Sequence, residues 1–261
     1  MSADSERLAI RTDELLQKLW RPDAPPPALW HFTTSGAAEN IQRSRELWAR
    51  NLKQLHKGDY LEFRLGWRVI QAIAEALSED NDELTARVAQ LIAKDPGPFG
   101  EQAQFDAFVF CFTDAGNRRA VRSYFGEKGS TDYLEFEIRK LLAGLRHQAR
   151  RGQHSMQLMQ VRYNLETLIE IAEKLIRELS VLARSNLVMA YGPLRHALVT
   201  VALSFKRPSY QIESEWRLIV TEWHAETAGM DRFPLCAMTK TGKHLPLPCR
   251  GGTFFRERPP P

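Results

Sequence analysis

Five consecutive residues, Phe108-Val109-Phe110-Cys111-Phe112, constrain the fold more than any other stretch of this chain. The run is too continuously apolar for a surface segment and rich in aromatic and β-branched side chains, so it predicts a buried strand. Such a strand needs partners, and the sequence offers several. Residues 28–33 alternate as a strand does, Leu47-Trp48-Ala49 and Tyr133-Leu134-Glu135-Phe136 read as short ones, and two more are predicted at Ala197–Phe205 and Glu213–Thr221. Helical spacing occupies the intervals: 4–20, a stretch through Ile41, 60–77, 82–93, and two long helices over 137–151 and 155–185. Strands, then helices, then strands again do not make a βαβ series, which points to an α+β fold.

The 261 residues read as one domain. An N-terminal helix and a proline-rich connector (Pro22, Pro25-Pro26-Pro27) fill 1–27, and the first part of a β core with its helices fills 28–136. A helical insertion is expected over 137–187, the remaining β core over 188–255, and a disordered tail over 256–261. Within the insertion Leu158, Val161, Leu165, Leu168, Ala172, Leu175, Leu179 and Leu182 recur at 3-4 spacing. That pattern is a seam for lengthwise helix packing, inside the chain or against a second copy or an inhibitor protein. Cys111, Cys236 and Cys249 are odd in number and widely spaced, which argues against a disulfide framework. No run of about 18 apolar residues exists to span a membrane. The first residues lack the basic-then-apolar layout of a secretory signal, so a cytoplasmic location is expected. A net charge of +4 does not by itself indicate nucleic acid.

Zinc-binding spacings are absent, and no metal is expected. Gly126-Glu127-Lys128-Gly129-Ser130 lacks the ending of a phosphate loop and reads as a surface turn. Three patches carry chemistry. In Leu29-Trp30-His31-Phe32-Thr33 strand alternation puts His31 and Thr33 on one face, and Trp30 and Phe32 on the other, expected to be core. The imidazole and hydroxyl suit a sugar diol or an amide, or are incidental polar groups at a strand edge. In Glu213-Ser214-Glu215-Trp216-Arg217, Glu213, Glu215 and Arg217 fall on one face: a general base with a charge-stabilising group, or the solvated side of a strand. Arg118, Arg119 and Arg122 beside Tyr124 and Phe125 could hold phosphates and stack a planar ring, or be plain surface charge. A fourth feature is the cationic helix face over 139–154, with Arg146, Arg150 and Arg151, which suits nucleic acid or an acidic partner protein.

In order, these patches resemble the bacterial family called domain of unknown function twenty-nine seventy-one. The correspondence rests on Leu29 to Thr33, on Leu47-Trp48-Ala49, on the acids of Asp59-Tyr60-Leu61-Glu62-Phe63, on Cys111-Phe112-Thr113, on Tyr124-Phe125-Gly126, and on Glu215-Trp216-Arg217-Leu218-Ile219. It departs from the family at Gly58, where an Asn is usual, and at Val121, where a Trp is usual. That family is similar to the ADP-ribosyltransferase superfamily. The resemblance therefore implies a split antiparallel β core of ADP-ribosyltransferase type with a long helical insertion, and NAD as substrate. It implies Glu215, His31 and Glu213 as catalytic residues, and His31, Thr33, Thr113, Tyr124 and Arg122 around the NAD. The implied activity is that of a toxin or phage-defence effector modifying nucleic acid or protein. The alternative expectation is a non-catalytic interaction or regulatory protein that keeps the fold and binds a partner through the 155–185 helix.

Overall fold

The fold is that of a computed structural model, which describes residues 3–20, 26–44, 46–52, 57–97, 105–115, 118–130, 132–149, 154–182, 187–223 and 244–248. In chain order the elements are α1 (Ala3–Leu19), β1 (Ala28–Thr33), α2 (Ser35–Ser44), β2 (Glu46–Asn51), α3 (Lys57–Leu77), α4 (Glu83–Ala93), β3 (Phe105–Thr113) and α5 (Arg119–Glu127). There follow β4 (Asp132–Glu137), α6 (Ile138–Ala149), β5 (His154–Gln160), α7 (Leu165–Leu182), α8 (Leu187–Leu203), a 3-10 turn (Pro208–Glu213), β6 (Glu215–Trp223) and β7 (His244–Pro248). The mixture of helices with an antiparallel sheet is the expected α+β class. Among the described residues no helix is long and apolar enough to cross a membrane.

Where the sequence reads as one domain, the contacts gather the chain into two compact units. One is helical and draws on Met1–Pro22, His56–Ala103 and Arg162–Pro208; the other holds the sheet and draws on Asp23–Leu55, Gln104–Val161 and Ser209–Pro261. Two expected elements are corrected. The helix expected over 155–185 begins only at Leu165, because His154–Gln160 is a strand paired along β6. Met156 and Leu158 pack toward the sheet's core at strand spacing, and Leu158 and Val161 had matched a helical stripe by coincidence. The strand expected at Ala197–Phe205 is instead the end of α8, in which residues 194–203 are all buried. A helix apolar on every side has no periodicity to distinguish it from a buried strand. No helical insertion therefore spans 137–187, and residues 188–203 add a helix rather than sheet.

In the helical unit α8 packs against α1, α3 and α7. The expected seam is present at four of its positions on α7: Leu168, Ala172, Leu175 and Leu179 are buried, and α7 lies against α3, α4 and α8. Gly66 of α3 approaches the backbone of α8 so closely that a Cβ there would sit 2.5 Å from the Ala202 carbonyl oxygen. The segment after α4 is latched by buried Asp95, whose carboxylate takes bonds from the Arg195 guanidinium, from the Tyr191 hydroxyl (2.5 Å) and from the Gly97 N–H (2.7 Å).

In the sheet unit every strand pairing is antiparallel, and β3 is the hub. One edge of β3 pairs with β6 along its whole length, Phe105↔Trp223 to Thr113↔Glu215. Its other edge is divided: β2 takes Phe108 and Val109, and β1 meets it only at Trp30↔Thr113. The sheet thus splits at Phe110–Phe112, with β4 outside β1, β7 outside β2 and β5 outside β6. One sheet face carries the core, from Leu29, Phe108, Phe110, Phe112, Leu134, Phe136, Trp216, Leu218 and Val220, covered by Ala38 and Ile41 of α2 and Ile138 and Leu141 of α6.

Candidate functional site

β1 follows the expected alternation, with the opposite sense. Leu29 is fully buried in the core cluster, and His31 lies on the same side, its ring 4.2 Å from that of Phe110 and 6.5 Å from that of Phe112. His31 therefore looks into the apolar face of the sheet. Trp30 and Phe32 occupy the other face, where Phe32 stacks on Phe125 of α5 at 4.7 Å and meets Tyr133 at 5.8 Å. Side chains pack on both faces of β1, and Trp30 and Phe32 are only partly buried, so the aromatic pair did not mark the core.

His31 sits where β1 and β3 diverge. Its Nδ1 lies 2.8 Å from the Cys111 carbonyl oxygen, so the tautomer that donates this bond carries its proton on Nδ1. Burial, with a smaller contribution from the Arg50 charge, pushes the imidazole pKa down from 6.5 to about 4 despite that bond. The ring is neutral at pH 7. Thr33, partly buried, ends the strand opposite Asp132 on β4.

The acidic residues lie elsewhere. Thr113 and Glu215 are directly opposed across β3 and β6, on the face away from Phe112 and Trp216. Both are buried. Thr113 closes the turn after β3, its hydroxyl accepting the Ala115 N–H at 3.1 Å. Glu215 is held by Arg217 through both oxygens, Nε to Oε1 at 2.8 Å and an η-nitrogen to Oε2 at 3.0 Å. The side chains of this fork-to-fork pair are 5% and 2% exposed, so the expected solvated strand face is a desolvated ion pair instead.

Glu213 leaves the strand register. Ser214 has a φ of 43°, in the left-handed region, and its hydroxyl donates to Asp114, which also accepts the Trp216 indole N–H at 3.1 Å. This kink ends the 3-10 turn and lets β6 begin at Glu215, so the expected single face for Glu213, Glu215 and Arg217 holds only for the last two. Glu213 is buried, and its Oε1 accepts the Tyr124 hydroxyl at 2.6 Å and the Lys128 ammonium at 2.9 Å. Lys128 Nζ also lies 4.2 Å from the Tyr124 ring centroid. Burial and the neighbouring Glu213 carboxylate raise the Tyr124 pKa, so the phenol stays protonated and donates.

Of the seven residues expected around NAD, Tyr124 and Glu213 touch, and Thr113 and Glu215 oppose one another. His31 stands on the other face. Arg122 is exposed, its guanidinium 5.1 Å from the Tyr133 ring centroid. The side chain of Arg146, and Arg150 and Arg151 entirely, lie outside the described residues. No metal-ligating cluster occurs among the described residues. Lys128, read from sequence as part of a surface turn, is the missed member; its spacing four residues after Tyr124 on α5 was the available signal. Compared with known proteins, the chain matches no family model, no curated protein and no solved structure.

Proposed function

We propose that the sheet unit is an ADP-ribosyltransferase-like domain acting as a binding or regulatory module, without NAD turnover. One observation carries this reading: Glu215 is buried, held through both carboxylate oxygens by Arg217, and on the sheet face opposite His31. Cleaving the nicotinamide–ribose bond builds an oxocarbenium-like cation. A carboxylate stabilises that cation only if its charge is free to face the ribose. Here the Arg217 guanidinium already neutralises Glu215, and His31 faces the other side of the sheet. The motif order and the divided edge of β3 support the transferase-like architecture; the pairing of Glu215 supports the loss of catalysis.

Incubation of the full chain with labelled NAD, with RNA, DNA and cell lysate as acceptors, is expected to give neither nicotinamide release nor label transfer. Turnover by the wild-type chain overturns this reading. The second reading, an NAD-dependent transferase of the toxin or phage-defence kind, is favoured by the Tyr124–Glu213–Lys128 cluster, which sets an aromatic hydroxyl, a carboxylate and an ammonium together. Under it, turnover is present and is lost in Glu213→Gln while circular dichroism shows an intact fold.

A further inference from the structure

Asp114 stands at the root of both halves of the Tyr124–Glu213–Lys128 cluster. It is the first residue after β3, on the way to α5, which carries Tyr124 and Lys128. Beside it the chain leaves the 3-10 turn through Ser214, and Glu213 is the last residue of that turn. Hydrogen bonds from both ends of Asp114 join the two roots. Its N–H donates to the Ser214 carbonyl oxygen at 3.1 Å, its Oδ1 accepts the Ser214 hydroxyl, and its Oδ2 accepts the Trp216 indole N–H at 3.1 Å.

These bonds hold a backbone conformation that serine rarely adopts. At a φ of 43° the Cβ of Ser214 crowds its own backbone, a cost that glycine escapes. An extended Ser214 would continue the alternation of β6 and put Glu213 on the face of Glu215 and Arg217. The kink turns Glu213 out of that register, where its Oε1 accepts the Tyr124 hydroxyl at 2.6 Å and the Lys128 ammonium at 2.9 Å. Residues in such sparsely populated conformations persist only where their surroundings over-determine them. Among the described residues, Asp114 is the side chain that bonds to Ser214, and it commits its second oxygen to the residue that follows Glu215.

We propose that Asp114 is a positioning residue: by clamping Ser214 in the left-handed region it sets the Glu213 carboxylate against Tyr124 and Lys128. It acts through Ser214 and hydrogen-bonds to none of the three cluster residues itself. Its bearing on catalysis rests on the second reading above, in which Glu213 serves NAD chemistry. Its bearing on the geometry of the cluster does not.

Two substitutions that both delete the Ser214 hydroxyl separate the clamp from the rest of the fold. Ser214→Ala keeps the Cβ and loses the clamp, whereas Ser214→Gly loses the clamp and takes a positive φ freely. The readout is the titration of Tyr124 in the full chain, followed by NMR on isotope-labelled tyrosine and assigned with Tyr124→Phe. In the wild-type chain the phenol titrates above its ordinary 10, because burial and Glu213 hold its proton. Ser214→Ala and Asp114→Ala should each bring the midpoint down toward 10 as Glu213 departs. Ser214→Gly should keep the wild-type midpoint, and adding it to Asp114→Ala should restore that midpoint. If Asp114→Ala fails to fold, the two Ser214 variants decide the matter alone. Equal midpoints in the alanine and glycine variants overturn the proposal, and so does a folded Asp114→Ala chain that Ser214→Gly does not rescue. NAD turnover, measured on the same variants, should follow the Tyr124 midpoint. Its absence from every chain, wild type included, sinks the second reading, while the Tyr124 titrations still decide the clamp.

Discussion

Arg217 is among the largest fully buried side chains of the protein, and its charge is tolerable there because Glu215 meets it with two parallel bonds. Glu215→Gln removes the counter-charge and leaves the guanidinium in place, so it should cost about 3–5 kcal/mol of stability. Replacing both residues by apolar ones of similar volume (Glu215→Leu with Arg217→Met) should recover most of that loss; urea denaturation midpoints read both results. His31 gives a pH signature. Its unfolded imidazole takes a proton near 6.5, and the folded one resists until about 4. The stability from keeping it neutral is complete above pH 6.5 and is lost as the pH falls toward 4, at up to about 1.4 kcal/mol per pH unit. Buried His196 is lowered to about 4 in the same way, so His31→Gln and His196→Gln should each remove part of the acid slope. An NMR titration of His31 centred at 6.5 would contradict this. The sequence made the residues of β1 legible but not their sense. Alternation pairs His31 with Thr33 and Trp30 with Phe32, and it is silent on which pair meets the core. That answer came from Leu29 and from the packing of Phe125, which no pattern within 28–33 contains.

At the scale of elements, the close crossing of α3 and α8 depends on Gly66 having no side chain. Alanine is the better helix former by about 1 kcal/mol, yet its Cβ would collide with the Ala202 carbonyl of a rigid helix backbone. Gly66→Ala should therefore destabilise by about 1–3 kcal/mol through overpacking. Gly36 in α2 has nothing within 4 Å of its would-be Cβ, so Gly36→Ala should leave the melting temperature unchanged or raise it. Equal effects at the two sites would refute the close-approach argument. Elements with one wet and one dry side were readable: α3 and α4 from their apolar stripes, β4 from its alternation, β3 from its length and aromatic content. The failures were α8, dry on every side, and β5, whose few apolar residues fitted two periods at once. Ser214 was unreadable for another reason: a non-glycine residue at φ 43° has no signature in sequence, and that one dihedral separates Glu213 from Glu215.

At the scale of the molecule, the division into two units crosses the sequence order, each unit gathering three separated segments. Local patterns report periods of two to four residues, so they reveal elements and not this interleaving. The resemblance in motif order could bring Thr113 level with Glu215, but no ordering along the chain states that His31 falls on the far side of the sheet. The pairing of β3 with β6 also has a consequence in time. Its partners are far apart in the chain, from 102 residues for Thr113 and Glu215 (215 − 113) to 118 for Phe105 and Trp223 (223 − 105). At about 5–20 residues per second, a ribosome making this protein releases β6 roughly 5–25 s after β3. Throughout that interval the phenylalanine-rich hub strand has an open edge and no native partner to close it. The nascent chain is then most exposed to aggregation, and a chaperone that shields 105–113 during synthesis would raise the yield of folded protein more than one acting on the finished chain.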